Sequence, residues 1–242
     1  MSGSGLAVHA RLAAPHVVTA IRASLGMYLI FMAVQRQVET AAIIWLFGLG
    51  TDVLDGFLAR RLGISSQFGS LFDLFADFIY HVLTPATMSL FLLGEGAGPL
   101  SMILLSLPAP FAAMRYARKA GLSDTQYPGI PASPGLATLV YGFYVVALVF
   151  LQREKALGSG TLTWLLLVGV PVLSVLMMVR TRYPKLGVYP WILFPILLGL
   201  VIMPFFQTAI LARVMLGIVV GYVLLSPWLI EQHPERSRHP CL

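Results

Sequence analysis

Four of the five aspartates of this 242-residue chain fall between positions 52 and 77: Asp52, Asp55, Asp73 and Asp77. The first two are three residues apart and the last two are four apart, so on helices each pair shares one face. In an apolar chain such carboxylates cost about 2.5–3.5 kcal/mol each at a membrane-helix centre, so a group of four calls for cations, water or a place near the interface. Two carboxylate pairs form an all-oxygen nest suited to hard divalent cations, Mg²⁺ or Mn²⁺, with Ca²⁺ less suited to catalysis. No cysteine and only His81 stands close in sequence, which disfavours zinc or iron. Hard cations beside carboxylates handle diphosphates, the metals neutralising developing charge while a spare carboxylate takes a proton from an attacking hydroxyl. Gly56 and Gly69 leave room for a phosphate or nucleotide near the backbone, and Ala59 with Arg60 adds a small surface and a phosphate-pairing fork.

The elements that position these residues must lie in a bilayer. The composition is 58% hydrophobic and 11% charged, with a mean hydropathy of +0.84. A soluble domain carries about 25% charged residues, so a water-soluble globule is excluded. Apolar runs bounded by charge, Gly or Pro predict eight spans, near 17–35, 40–58, 70–93, 99–116, 132–151, 161–179, 189–206 and 209–228. The expected fold is all-α and polytopic, a six-helix catalytic core at 17–185 followed by a helix pair at 186–230. Residues 1–16 read as an interfacial segment and 231–242 as a cytoplasmic tail. No basic region ahead of a cleavable apolar stretch marks a signal peptide, and Cys241, the single cysteine, excludes an intrachain disulfide.

Loop charge orients the chain. With both termini inside, the cytoplasmic side collects eleven basic residues: Arg11, Arg60, Arg61, Arg115, Arg118, Lys119, Arg180, Arg182, Lys185, Arg236 and Arg238. The other side holds three, Arg36, Arg153 and Lys155, while Arg22 and Arg213 fall within spans. This bias puts both termini and the Asp52–Asp77 loop on the cytoplasmic side of the cell membrane. The net charge of +6 reflects topology and phosphate partners rather than nucleic-acid binding, because the cations are dispersed.

The run DVLDGFLARRLGISSQFGSLFDLFAD, from Asp52 to Asp77, resembles the signature of the CDP-alcohol phosphotransferase (phosphatidyltransferase) family: D-x-x-D-G-x-x-A-R, eight residues, then G-x-x-x-D-x-x-x-D. Every fixed position is present. PHVVTAIR, from Pro15 to Arg22, resembles the P-N-x-x-T-x-x-R often found at this family's first span, with His16 in place of Asn. The resemblance implies a homodimeric membrane enzyme with six core helices around a cytoplasm-facing polar cavity. Such an enzyme transfers a substituted phosphate from a CDP-linked lipid donor to a small alcohol and releases CMP. By the same resemblance Asp52, Asp55, Asp73 and Asp77 would bind two divalent cations, Asp77 doubling as general base. Asp52, Gly56, Ala59, Arg60, Gly69 and Asp73 would serve the CDP-linked donor.

For the acceptor, RYAR (Arg115 to Arg118), YPGIPASP (Tyr127 to Pro134) and VRTRYPK (Val179 to Lys185) loosely resemble the phosphatidylserine-synthesising branch of the family. Two departures run the other way: FIYHV follows Asp77 where that branch has V-S-F-G, and Lys119 and Ala120 replace Phe-Asn. Arg115 and Arg118 read either as partners of an acceptor carboxylate or as snorkelling interface cations. His81, four residues after Asp77, reads either as an acceptor contact that tunes Asp77 or as a packing histidine. Pro128, Pro131 and Pro134 mark either a bent segment beside a cavity or a simple loop. L-serine is the expected acceptor, with inositol phosphate, glycerol phosphate and choline as alternatives and an ether-lipid donor as a variant.

Two other classes compete. A membrane prenyltransferase also pairs Asp-rich loops with Mg²⁺, but the D-G-x-x-A-R element and the lack of two separated N-D-x-x-D clusters argue against it. A proton- or cation-coupled transporter would carry a matching acidic cluster in its second half. After Asp77 the acidic residues are Glu95, Asp124, Glu154, Glu231 and Glu235, all outside the predicted spans.

Overall fold

A computed structural model describes the backbone of residues 3–62, 67–94, 98–121, 132–179, 181–184 and 208–231. It describes side chains at 16–50, 67–94, 98–120, 135–179, 181, 183 and 209–225. The chain is built from helices: α1 (Gly3–Val34), α2 (Val38–Leu62), α3 (Gln67–Asp77), a π-helical turn π1 (Phe78–Leu83) and α4 (Thr84–Leu93). There follow α5 (Pro99–Ser106), α6 (Pro108–Gly121), α7 (Thr138–Arg153), α8 (Ser159–Trp164), a second π turn π2 (Leu165–Gly169), α9 (Val170–Met178) and α10 (Thr208–Glu231). Among the described residues, four helical stretches are long and apolar enough to cross a bilayer: His16–Val34, Gln67–Leu93, Pro99–Ala120 and Ser159–Met178. Shorter apolar helices lie at Val38–Gly50, Thr138–Arg153 and Ala209–Leu225. The all-α, polytopic expectation holds. The predicted span at 189–206 lies outside the described residues, as do Pro128, Pro131, Arg180 and Lys185.

One boundary differs. The fifth span, expected from 132, begins as a helix only at Thr138, because Ala132–Pro134 forms a short strand, β1, antiparallel to β2 (Arg182–Pro184). Prolines at 131 and 134 withhold backbone donors that a helix would need. Gly135 then turns the chain at φ +79°, and its N–H donates to Thr181 O at 2.9 Å. A Cβ at Gly135 would collide with the carbonyl of Met177, so glycine is required for both reasons.

The core sits around α7, whose residues from Tyr141 to Leu151 are all buried. A helix that is apolar all round belongs in the middle of a bundle. Around it the outward surfaces are also apolar, with Phe68, Leu100, Trp164 and Leu224 about two-thirds exposed, as lipid contact demands. Both π turns precede a proline: Pro85 cannot donate to the carbonyl of His81, nor Pro171 to that of Leu167, and the helix widens to accommodate each.

Candidate active site

The third span carries the site as a stripe. Gly69, Asp73 and Asp77 recur every four residues along α3, and His81 continues the interval into π1. At 3.6 residues per turn each four-residue step drifts about 40° around an α-helix, and the wider π turn counters that drift between Asp77 and His81. Exposure falls along the stripe, from 41% for the Asp73 side chain to 20% for Asp77 and 4% for His81. The stripe therefore runs from the partly exposed Asp73 into the buried interior at His81.

The buried end of the stripe is fixed by interlocks. Trp45 of α2 donates its indole N–H to Tyr80 O at 2.9 Å, and the Tyr80 hydroxyl donates to Trp45 O at 2.5 Å. Their rings stack at 8°, and the His81 ring stands edge-on to both. Gly48 makes the room, since a Cβ there would collide with the Tyr80 hydroxyl. The Thr84 hydroxyl lies 3.0 Å from Ile79 O and 3.1 Å from Gly26 O, pinning π1 to α1. The backbone of Tyr80 approaches so closely that a Cβ on Gly26 would lie 3.2 Å from its Cα.

Against the stripe, Arg22 of α1 is fully buried and its Nη2 forms an ion pair with Asp73 Oδ1 and another, at 3.2 Å, with Asp77 Oδ1. Asp77 Oδ1 also stands 3.8 Å from His81 Nε2. Arg115 of α6 is buried, lies over the Tyr116 ring with Cζ 5.8 Å from its centroid, and interacts electrostatically with Asp77 and with Tyr222 of α10. Tyr116 is fixed by a 2.8 Å hydrogen bond between its hydroxyl and that of Thr138.

Among the expected site residues, Asp73, Asp77, His81 and Arg115 come together. Arg118 instead serves the fold, because its guanidinium donates to Met178 O at 3.2 and 3.3 Å and to Met177 O at 3.5 Å, capping the carbonyl end of α9. His16 packs edge-on against Phe68 at 5.7 Å, joining the middle of α1 to the start of α3. Asp52, Asp55, Gly56, Ala59 and Arg60 lie on α2, and their side chains fall outside the described residues. Among the described residues no three His, Cys, Asp or Glu side chains form a cluster. Asp73 and Asp77 nonetheless converge on one cation, Arg22, and offer only carboxylate oxygen, the donor type a hard divalent ion takes. Arg22 is not among the expected site residues. Its signal in the sequence is an arginine inside an apolar span, which must find an anion.

Residues 12–176 match the family model described as CDP-alcohol phosphatidyltransferase. The chain is 33% identical over 181 residues to a CDP-diacylglycerol-serine O-phosphatidyltransferase of Helicobacter pylori, covering 73% of this chain and 74% of that one. It is 26% identical over 225 residues to the enzyme of the same name from Mycobacterium leprae, covering 89% and 68%. To a CDP-diacylglycerol-glycerol-3-phosphate 3-phosphatidyltransferase of Treponema pallidum it is 29% identical over 174 residues, covering 66% and 78%. With a predominantly helical apolar fold, a buried arginine pairing two carboxylates on one helix face and a family match across most of its length, this chain is a membrane-embedded member of the CDP-alcohol phosphatidyltransferase family.

Proposed function

We propose that this chain transfers the phosphatidyl group of CDP-diacylglycerol, or an ether-lipid analogue, to the hydroxyl of L-serine and releases CMP. The observation that carries the reading is the convergence of Asp73 and Asp77 on Arg22, with His81 directly behind Asp77. Asp77 takes the proton of the acceptor hydroxyl. That oxygen bonds to the phosphorus of the phosphatidyl group, the diphosphate bond breaks, and CMP leaves with the bridging oxygen. Two divalent cations, Mg²⁺ or Mn²⁺, held by Asp52, Asp55, Asp73 and Asp77 would neutralise the diphosphate charge during transfer. Arg22 holds the two carboxylates together on one face. Gly56, Ala59, Arg60 and Gly69 would serve the cytidine diphosphate of the donor.

Arg115 supplies the cation that a serine carboxylate requires, and His81 sits where it can contact the acceptor beside Asp77. Serine is favoured because the Helicobacter pylori and Mycobacterium leprae relatives carry that name. A glycerol phosphate acceptor is the second reading, favoured by the name of the Treponema pallidum relative. The bias of eleven basic residues against three favours the cytoplasmic face for the site and both termini. We further infer a homodimer, with 17–185 as the catalytic core and 186–230 as an appended helix pair. Incubation of the purified protein with CDP-diacylglycerol and labelled L-serine tests the reading. Label in the chloroform-extractable lipid supports it, while label entering lipid only from glycerol phosphate moves the acceptor.

A further inference from the structure

The three basic residues that break the charge bias, Arg36, Arg153 and Lys155, lie at the end of the bundle away from the Asp73–Asp77 face. Arg36 lies fourteen residues beyond Arg22, about 20 Å along the axis of α1. Arg36 and Arg153 line one cavity of about 320 Å³ together with Thr40, Phe91, Gln152 and one carboxylate, that of Glu39. Its chemistry is that of an anion site with one apolar wall. The Arg36 guanidinium stands 5.4 Å over the Phe91 ring, and Arg153 Nε is steered by Glu39 Oε2 at 3.7 Å. The buried Gln152 carboxamide oxygen has no hydrogen-bond partner among the described residues, so the cavity also offers an acceptor for a hydroxyl or ammonium.

The backbone keeps arginine here against its own preference. Arg36 has φ +65°, and its N–H donates to Ala33 O at 3.0 Å while that of Gln37 donates to Met32 O at 3.0 Å. This is the double bond pattern that ends a helix with a left-handed residue, a place usually given to glycine. Lys155 at the end of α7 repeats it at φ +51°, with Lys155 N–H on Gln152 O and Ala156 N–H on Leu151 O. Arg36 and Lys155 are the two non-glycine residues with positive φ among the described residues, and both are cations at this end. Disfavoured backbone kept at a charged cavity is the pattern of a binding site.

We propose that this cavity binds the phosphate of a phospholipid headgroup, the diester between Arg36 and Arg153 and a headgroup hydroxyl or ammonium on Gln152. The site is separate from the transfer reaction and stands whether or not serine is the acceptor. Its test is native mass spectrometry of the delipidated full-length protein in detergent, titrated with phosphatidylglycerol, inorganic phosphate or diacylglycerol. Arg36→Gly suits the backbone, so its unfolding midpoint should equal or exceed that of the parent. Phosphatidylglycerol should bind saturably, and Arg36→Gly and Arg153→Gln should each weaken it about tenfold, the scale of one lost charge-assisted hydrogen bond. Arg213→Gln, an exposed cation on α10, should leave binding unchanged, and diacylglycerol should not compete. Saturation by inorganic phosphate without lipid binding would overturn the lipid source. Equal lipid binding by the parent, Arg36→Gly and Arg153→Gln would overturn the site.

Discussion

Arg22 on the first helix and Asp77 on the third stand 3.2 Å apart, and the same guanidinium nitrogen also pairs with Asp73, one turn earlier. A fully buried cation thus fixes the spacing of two carboxylates that the sequence places on one helical face. Arg22→Ala should lower the unfolding midpoint by the equivalent of about 1–3 kcal/mol, less than a fully buried pair would lose because Asp73 is partly exposed. It should also abolish CMP release. Arg22→Lys should restore much of the stability but little turnover, since a flexible lysine stem lacks the rigid planar group that holds one nitrogen between the two carboxylates. Equal activity in Arg22→Lys and the parent would contradict the positioning role.

Asp77→Asn keeps the shape of the side chain and removes the proton acceptor. Turnover should fall by about 10²- to 10⁴-fold, the usual weight of general-base catalysis. Binding of CDP-diacylglycerol should fall far less. Parallel loss of binding and turnover, measured by equilibrium titration beside CMP release, would remove the base assignment and leave Asp77 as a ligand only.

Arg115 and Arg118 separate in place although one motif carries both, Arg115 lying buried and Arg118 at the carbonyl end of α9. Arg118→Met removes the donors to Met177 O and Met178 O and should lower stability by about 1–2 kcal/mol without raising the KM for the acceptor. Arg115→Met should raise that KM at least tenfold with a smaller change in the unfolding midpoint. The reverse pattern would return Arg118 to the acceptor site.

Gly48 and Tyr80 test the interlock behind the site. Gly48→Ala pushes a methyl group into the Tyr80 hydroxyl and should cost about 1–3 kcal/mol. Tyr80→Phe makes room but gives up the bond to Trp45 O, so alone it should also destabilise. The double variant should be more stable than the sum of the single changes requires, and strict additivity in a double-mutant cycle would show that the two residues do not meet.

The apolar runs and the aspartate spacing made the spans and the Asp73–Asp77 face legible, because both follow from a helical period. Hidden from such periodicity were features set by partners distant in sequence. Arg22 could be seen as a charge inside a span, but its partners lie 51 and 55 residues away. The π turn behind Asp77 follows from Pro85, yet its depth depends on Trp45 and Gly48 from another helix. The capping role of Arg118 required the end of α9, and the late start of α7 required the pairing of Ala132–Pro134 with Arg182–Pro184. Charge patterning set an expected orientation but could not reveal the cavity where Arg36 and Arg153 meet.

The most direct measurement is CMP release by the purified protein in detergent with CDP-diacylglycerol and Mg²⁺ or Mn²⁺, each acceptor being supplied separately: serine, inositol phosphate, glycerol phosphate, choline or water. The expected result is serine-dependent release that stops on chelation, returns with the divalent ion and is absent from Asp77→Asn. Release that needs a different alcohol would contradict the serine assignment, and no release with any acceptor would contradict phosphatidyl transfer at the Asp73–Asp77 site.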